Sequence, residues 1–163
     1  MASRESCRVL IIPVPRLQDA HRYGYAVPTR AKRREYAIAL DGAGGLTAEG
    51  ESNLELEDAW TPEHLVLAAL ALCSVTSLRY HARRANLDVA ATASASGAVA
   101  PRDEDGRYAF VEIQCRVDAE LDPLPDGQEL GALLANAERG CFVGASLTAP
   151  PEYHWNVSRV RVK

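Results

Sequence analysis

Between Glu35 and Leu78 the 163-residue sequence contains no Lys or Arg, and nowhere does it contain a Cys-x-x-Cys or His-x-x-x-His pair. The first gap leaves the middle of the chain without a permanent cation, and the missing pairs argue against a zinc site. No glycine-rich turn leads into Lys-Ser or Lys-Thr and a helix, so Gly44-Gly45 marks a turn rather than a phosphate loop. A net charge of −4 gives no general attraction for nucleic acid. No signal-peptide core with a cleavage site is present, so a cytoplasmic location with reduced thiols is expected for the widely spaced Cys7, Cys73, Cys115 and Cys141. Asn156-Val157-Ser158 is accordingly a chance sequon, and no cofactor is expected.

What is present is enough apolar material, 47% of residues, for the core of one domain. The chain is organised around residues 60 to 86. Thr61 suits a helix N-cap, Pro62 the first helical position, and Glu63 the positive helix end. No Gly or Pro interrupts Glu63 to Ala85. Arg79, Arg83 and Arg84 suit the negative end, and Asn86 can adopt the left-handed cap. Leu65, Val66, Leu67, Leu70 and Leu72 cover most of the circumference, which predicts a helix buried on all sides. Its charged second half and its length argue against a membrane span, so sheet or a second chain is expected to wrap it.

Residues 1 to 33 read as an N-terminal extension, a mobile or loosely docked tail. Pro13 and Pro15 break its one apolar run, and Arg30-Ala31-Lys32-Arg33-Arg34 form a basic cluster. Residues 34 to 163 read as the folded domain. Tyr36, Ile38 and Leu40, the Asp41 to Gly45 turn, Leu46, and Leu54 with Leu56 predict a meander of about three short strands. Leu87 to Val99 predicts a small-residue strand, and the polar run from Pro101 to Gly106 a hairpin loop.

Tyr108 to Leu121 gives the clearest pattern. Val111, Ile113, Cys115, Val117 and Ala119 alternate with polar residues, which makes Cys115 a small core residue. Leu130, Leu133, Leu134 and Ala137 recur at helical spacing up to Gly140. Cys141 then opens a short helical turn, where backbone dipoles favour a thiolate. Tyr153 to Val162 predicts a terminal strand with a bulge before Val160. This order is α+β rather than alternating βαβ.

Glu63 precedes Cys73 by ten residues, about 15 Å along a helix, so the two cannot touch within one chain. A helix apolar all round in a small domain also asks for a partner surface. Both arguments predict a homodimer in which an antiparallel second helix brings Glu63 of one subunit towards Cys73 of the other.

Two stretches carry a resemblance. Pro62-Glu63-His64-Leu65 running to Ala71-Leu72-Cys73, with Ala137-Glu138-Arg139-Gly140-Cys141-Phe142-Val143, resembles the two cysteine motifs of the OsmC/Ohr family of thiol-dependent peroxidases, over about residues 35 to 160. The resemblance implies the OsmC-like fold, an intertwined dimer with helices inside curved sheets. It also implies a peroxidatic Cys73 that reduces organic hydroperoxides, a resolving Cys141, a positioning Glu63 and a dithiol reductant. Leu70, Phe142 and Val143 are candidates to line an apolar pocket.

The arginine that family members carry before the helix has no counterpart at Leu46 or Asn53. Arg30, Arg33 and Arg34 are the first candidates to replace it, followed by Arg79, Arg139, His64 and His81. Two other functions fit the same residues: a weakly catalytic protein holding a small apolar ligand, and a redox-sensing regulatory protein. Neither nucleic acid nor membrane is an expected partner.

Overall fold

The computed structural model describes residues 34–42, 44–48, 54–57 and 59–159. The expected tail over 1–33, with Arg30 and Arg33, and the bulge before Val160 lie outside the described residues. The chain divides into two compact units between Glu55 and Leu56, inside the expected 34–163 domain.

In the first unit, β1 (Ile38–Leu40), β2 (Gly45–Ala48) and β3 (Leu54–Glu55) form the expected antiparallel meander in that order. Asp41 closes the β1–β2 turn. Its amide donates to the Gly45 carbonyl at 3.0 Å and its carboxylate accepts from the Gly45 amide at 2.8 Å, while Gly44 supplies the positive φ of 89°.

The second unit opens with α1 (Pro62–Arg84). The Thr61 amide donates to His64 Nδ1 at 3.3 Å, and the Thr61 hydroxyl lies 3.0 Å from the same nitrogen, so His64 caps the helix start. The helix stops in a Schellman turn. Asn86 takes φ 56°, its amide bonds the Arg83 carbonyl at 3.1 Å, and the Leu87 amide bonds the Ala82 carbonyl at 2.9 Å.

β4 (Asp88–Pro101) and β5 (Tyr108–Asp122) pair as a long antiparallel hairpin, and β6 (Glu152–Arg159) adds parallel to β5, giving the order β4-β5-β6. Between β5 and β6 the chain forms α2 (Gly127–Gly140), capped by the Asp126 carboxylate on the Glu129 amide at 2.9 Å, and the short α3 (Phe142–Ser146).

Ile113, Cys115, Val117, Ala119 and Leu121 face the core from β5, beside Ala91, Ala93 and Ala95 of β4 and Tyr153, Trp155 and Val157 of β6. Leu70, Leu78 and Ala82 of α1 and Leu133 and Ala137 of α2 meet them. Each fully buried leucine here contributes about 1.5–3 kcal/mol through apolar burial.

Three expectations are corrected. Val111 is 47% exposed, because Ala98 pairs with Glu112 while Val99 pairs with Phe110. Val111 is therefore the extra residue of a bulge, which reverses the alternation and turns Phe110 inward. In addition, α1 is not buried all round in the single chain. Sheet, α2 and α3 cover one side, while Ala68, Ala69, Leu72, Thr76 and Tyr80 remain exposed, Leu72 by 68%. Finally, α1 is long and apolar enough, by length and composition, to cross a bilayer. Its packing against β4, β5, α2 and α3 is that of a core helix.

Candidate active site

Cys73 lies midway along α1 and Cys141 at the junction of α2 and α3, and the close approach of these helices makes them neighbours. Gly140 permits that approach, since a Cβ at this position would run into Ser77 Oγ and lie 3.1 Å from His81 Nε2. The helices therefore touch one residue before Cys141. The Cys141 sulfur is fully buried and Cys73 is half-buried, and all three described cysteines are free thiols. Each of the Cys73 and Cys141 sulfurs affects the ionisation of the other, so the structure brings this predicted pair together.

Three groups surround the Cys141 sulfur that the sequence reading did not single out. The Gly144 amide donates to it at 3.4 Å, Ser74 Oγ lies 3.6 Å away, and the Tyr153 hydroxyl approaches from β6. Ser74 Oγ also donates to the Leu70 carbonyl at 2.8 Å and accepts from the Cys115 thiol at 3.6 Å. Register brings Tyr153 directly beside Cys115 on adjacent strands. The Tyr153 hydroxyl oxygen is buried and has no partner with hydrogen-bond geometry. Gly144 makes room for this grouping: a Cβ there would sit 2.6 Å from Tyr153 Oη and 3.5 Å from the Cys141 sulfur.

The thiols differ in acidity. Burial pushes Cys73 above the usual thiol range. The nearby Val143 and Phe142 amides oppose the rise, and the Cys141 sulfur adds to it. Burial also raises Cys115. Burial acts upward on Cys141 as well, but the Tyr153 hydroxyl, the Gly144 amide, Ser74 and Cys73 together hold it below the ordinary value. Tyr153 is correspondingly pushed well above a normal phenol, by burial first and by Cys141 second.

The other predicted residues are placed as follows. Glu63 is exposed on the first turn of α1, its carboxyl held below the usual range by Thr61, and the unbroken helix keeps it about 15 Å from Cys73. Arg139 is exposed and donates to the Asn136 side chain. Arg34 and Arg79 are exposed, and His81 is half-buried against Gly140. Among the described residues, no guanidinium or imidazole is one of the groups that set the acidity of Cys73 or Cys141. Leu70 is fully buried, Val143 is half-buried and Phe142 is 67% exposed.

Ser74 was legible in principle. It continues the buried i, i+4 row Leu70, Ser74, Leu78, and a polar residue in such a row asks for a partner. The inward alternation of Tyr153, Trp155 and Val157 likewise placed the Tyr153 ring in the core.

Comparison with known proteins agrees with the fold. A crystal structure of an organic hydroperoxide resistance protein OsmC from Legionella pneumophila superposes with a TM-score of 0.53 at 19% identity, covering 77% of this chain and 97% of that one. An OsmC-like protein of unknown function from Vibrio cholerae gives 0.61 at 16% identity, covering 77% and 99%. OhrB, the organic hydroperoxide resistance protein of Bacillus subtilis, gives 0.50 at 17%, covering 76% and 96%. Among curated proteins no sequence relative matches. The family model for OsmC-like proteins matches residues 55–156, most of the chain and nearly all of the second unit, and with both cysteines inside that match the chain belongs to the OsmC-like protein family.

Proposed function

We propose that this protein reduces organic hydroperoxides through a two-thiol cycle. The observation that carries the reading is the adjacency of Cys73 and Cys141, with only the first reachable from solvent. The Cys73 sulfur attacks the distal peroxide oxygen, the O–O bond breaks, and the alcohol leaves while Cys73 becomes a sulfenic acid. Cys141 then attacks that sulfur, a disulfide forms and water departs. An external dithiol reduces the disulfide and restores both thiols. Phe142 and Val143, whose amides flank Cys73, offer apolar surface to an alkyl chain. Purified protein supplied with an alkyl hydroperoxide and dithiothreitol should consume peroxide, and Cys73→Ser should abolish this. Cys141→Ser should leave a dimedone-reactive sulfenic acid at Cys73. Equal consumption by wild type and Cys73→Ser would refute the reading.

In the same reading the partner is a second copy of the chain, seated on the exposed α1 face formed by Ala68, Ala69, Leu72 and Thr76. An antiparallel arrangement would bring Glu63 of the partner subunit towards Cys73. Leu72, 68% exposed, is central to that face, so Leu72→Arg should convert a dimer to a monomer in analytical ultracentrifugation. An unchanged sedimentation coefficient would exclude this interface.

A further inference from the structure

We propose that Ser74 is a positioning residue for the resolving step: its hydroxyl moors the Cys141 sulfur to α1 beside Cys73, so that the disulfide closes before a second peroxide reaches Cys73. The mooring stands on geometry alone, whereas its use in resolution rests on the peroxidase reading.

Packing does not explain a serine here. Ser74 interrupts the buried row Leu70, Ser74, Leu78 on α1 and is only 2% exposed. Its hydroxyl donates to the Leu70 carbonyl at 2.8 Å, one turn back, and such back-bonding slightly weakens a helix. Alanine would suit the helix better. The use of the oxygen therefore lies with its other neighbours, two sulfurs brought in from other elements. Cys115 of β5 and Cys141, at the start of α3, each lie 3.6 Å from it.

The hydrogen-bond inventory fixes the directions. A serine hydroxyl has one hydrogen and two lone pairs. The hydrogen is spent on the Leu70 carbonyl, and the Cys115 thiol donates to one lone pair. The second lone pair is left for the Cys141 S–H. The Cys141 sulfur also accepts from the Gly144 amide at 3.4 Å, so the buried thiol is held between a hydroxyl of α1 and an amide of α3. Gly140 supports the same placement, since its missing Cβ lets Ser77 and His81 of α1 come up against the residue before Cys141.

Placement matters because two reactions compete for a sulfenic acid at Cys73. In resolution the Cys141 sulfur attacks the Cys73 sulfur, the S–S bond forms, the S–O bond breaks, and the thiol proton leaves with the hydroxyl as water. In overoxidation a second ROOH gives up an oxygen to form Cys73–SO₂H and ROH, which the external dithiol does not reverse. Overoxidation accelerates with peroxide concentration. Resolution is intramolecular and depends on how well Cys141 is placed.

The test follows the reduced full-length protein after mixing with an alkyl hydroperoxide, by rapid acid quench and mass spectrometry. Ser74→Ala should form the Cys73 sulfenic acid at the wild-type rate but close the disulfide about tenfold more slowly, the effect of a small misplacement of reacting atoms. Its sulfinic share at Cys73 should rise with peroxide concentration. A merely structural loss would slow both steps or neither. Ser74→Thr, which keeps the hydroxyl, should close faster than Ser74→Ala. Cys115→Ala, which opens a larger void in the same cluster but leaves the contact between Ser74 and Cys141, should close at close to the wild-type rate. Wild-type closure in Ser74→Ala, or equal slowing in Ser74→Thr or Cys115→Ala, overturns the proposal. Diamide, which oxidises paired thiols without peroxide, gives a parallel measure of closure. Slowed closure of Ser74→Ala by diamide, with no peroxide consumed by wild type, rejects the peroxidase reading alone. Peroxide consumption with unslowed closure in Ser74→Ala rejects this proposal alone.

Discussion

Replacing Gly140 by alanine tests whether the contact between α1 and α2 holds the two cysteines together. At a helical position Gly→Ala ordinarily stabilises, by up to about 1 kcal/mol. Here the new methyl would collide with Ser77 Oγ and press on His81 Nε2 at 3.1 Å, both on α1. Relieving that overlap costs about 1–3 kcal/mol, as for other overpacked interiors. The expected balance is a net loss of about 1–2 kcal/mol, or a melting temperature lower by about 2–8 °C for a chain of this size. Thermal and urea unfolding of the reduced protein measure it. The Ser77→Ala/Gly140→Ala double variant removes the worse of the two contacts and should recover most of the loss, appearing as a coupling energy in the double-mutant cycle. Because Cys141 follows Gly140 directly, the single variant should also form the Cys73–Cys141 disulfide more slowly after peroxide addition. A stabilised Gly140→Ala protein, or strictly additive single variants, would refute the proposed packing constraint.

Asn86 occupies the left-handed position of the α1 stop, so Asn86→Ala should cost about 1 kcal/mol in urea unfolding while Asn86→Gly is neutral or stabilising. Equal effects of the two would remove the backbone explanation. Stability against pH should rise and then fall across the thiol range. Cys141, with its folded value lowered, contributes stability above the unfolded thiol pKa of about 8.5, and this contribution is lost as pH falls through the folded value. Cys73 and Cys115, with folded values raised, contribute below about 8.5 and lose that contribution as pH rises through their folded values. Urea midpoints for reduced wild type should therefore decline above about pH 8.5, with a shallower decline in Cys115→Ala, and identical slopes would count against buried, raised thiols.

Local signals in the sequence located most elements. Thr61, Pro62 and Asn86 bounded α1 to within a residue or two, and Gly140 ended α2. Period-two alternation put Cys115 in the core. What escaped depended on contacts distant in sequence. The Val111 bulge exists because β4 and β5 differ by one residue in their pairing, which neither strand reveals alone. The parallel pairing of β6 with β5 follows from the crossover through α2 and α3. Apolar residues around α1 were correctly counted, but composition cannot say which face one chain covers, and Leu72 remains outside. At the candidate site the two cysteine motifs were visible, whereas the groups around Cys141 come from α1, α3 and β6 and converge only on folding. The bulk of the basic cluster proposed as a source of charge, including Arg30 and Arg33, lies outside the described residues.

The alanines of β4 have a mechanical consequence. Ala91, Ala93 and Ala95 present a methyl-deep floor beneath a helix whose own side chains reach down to it, so the spacing between the layers is set almost wholly from the helix side. A single bulky replacement in that floor would act as a shim. It would lift α1, against which α2 and α3 pack, and so shift the helix face where Cys73 and Ser74 meet Cys141 from a neighbouring strand.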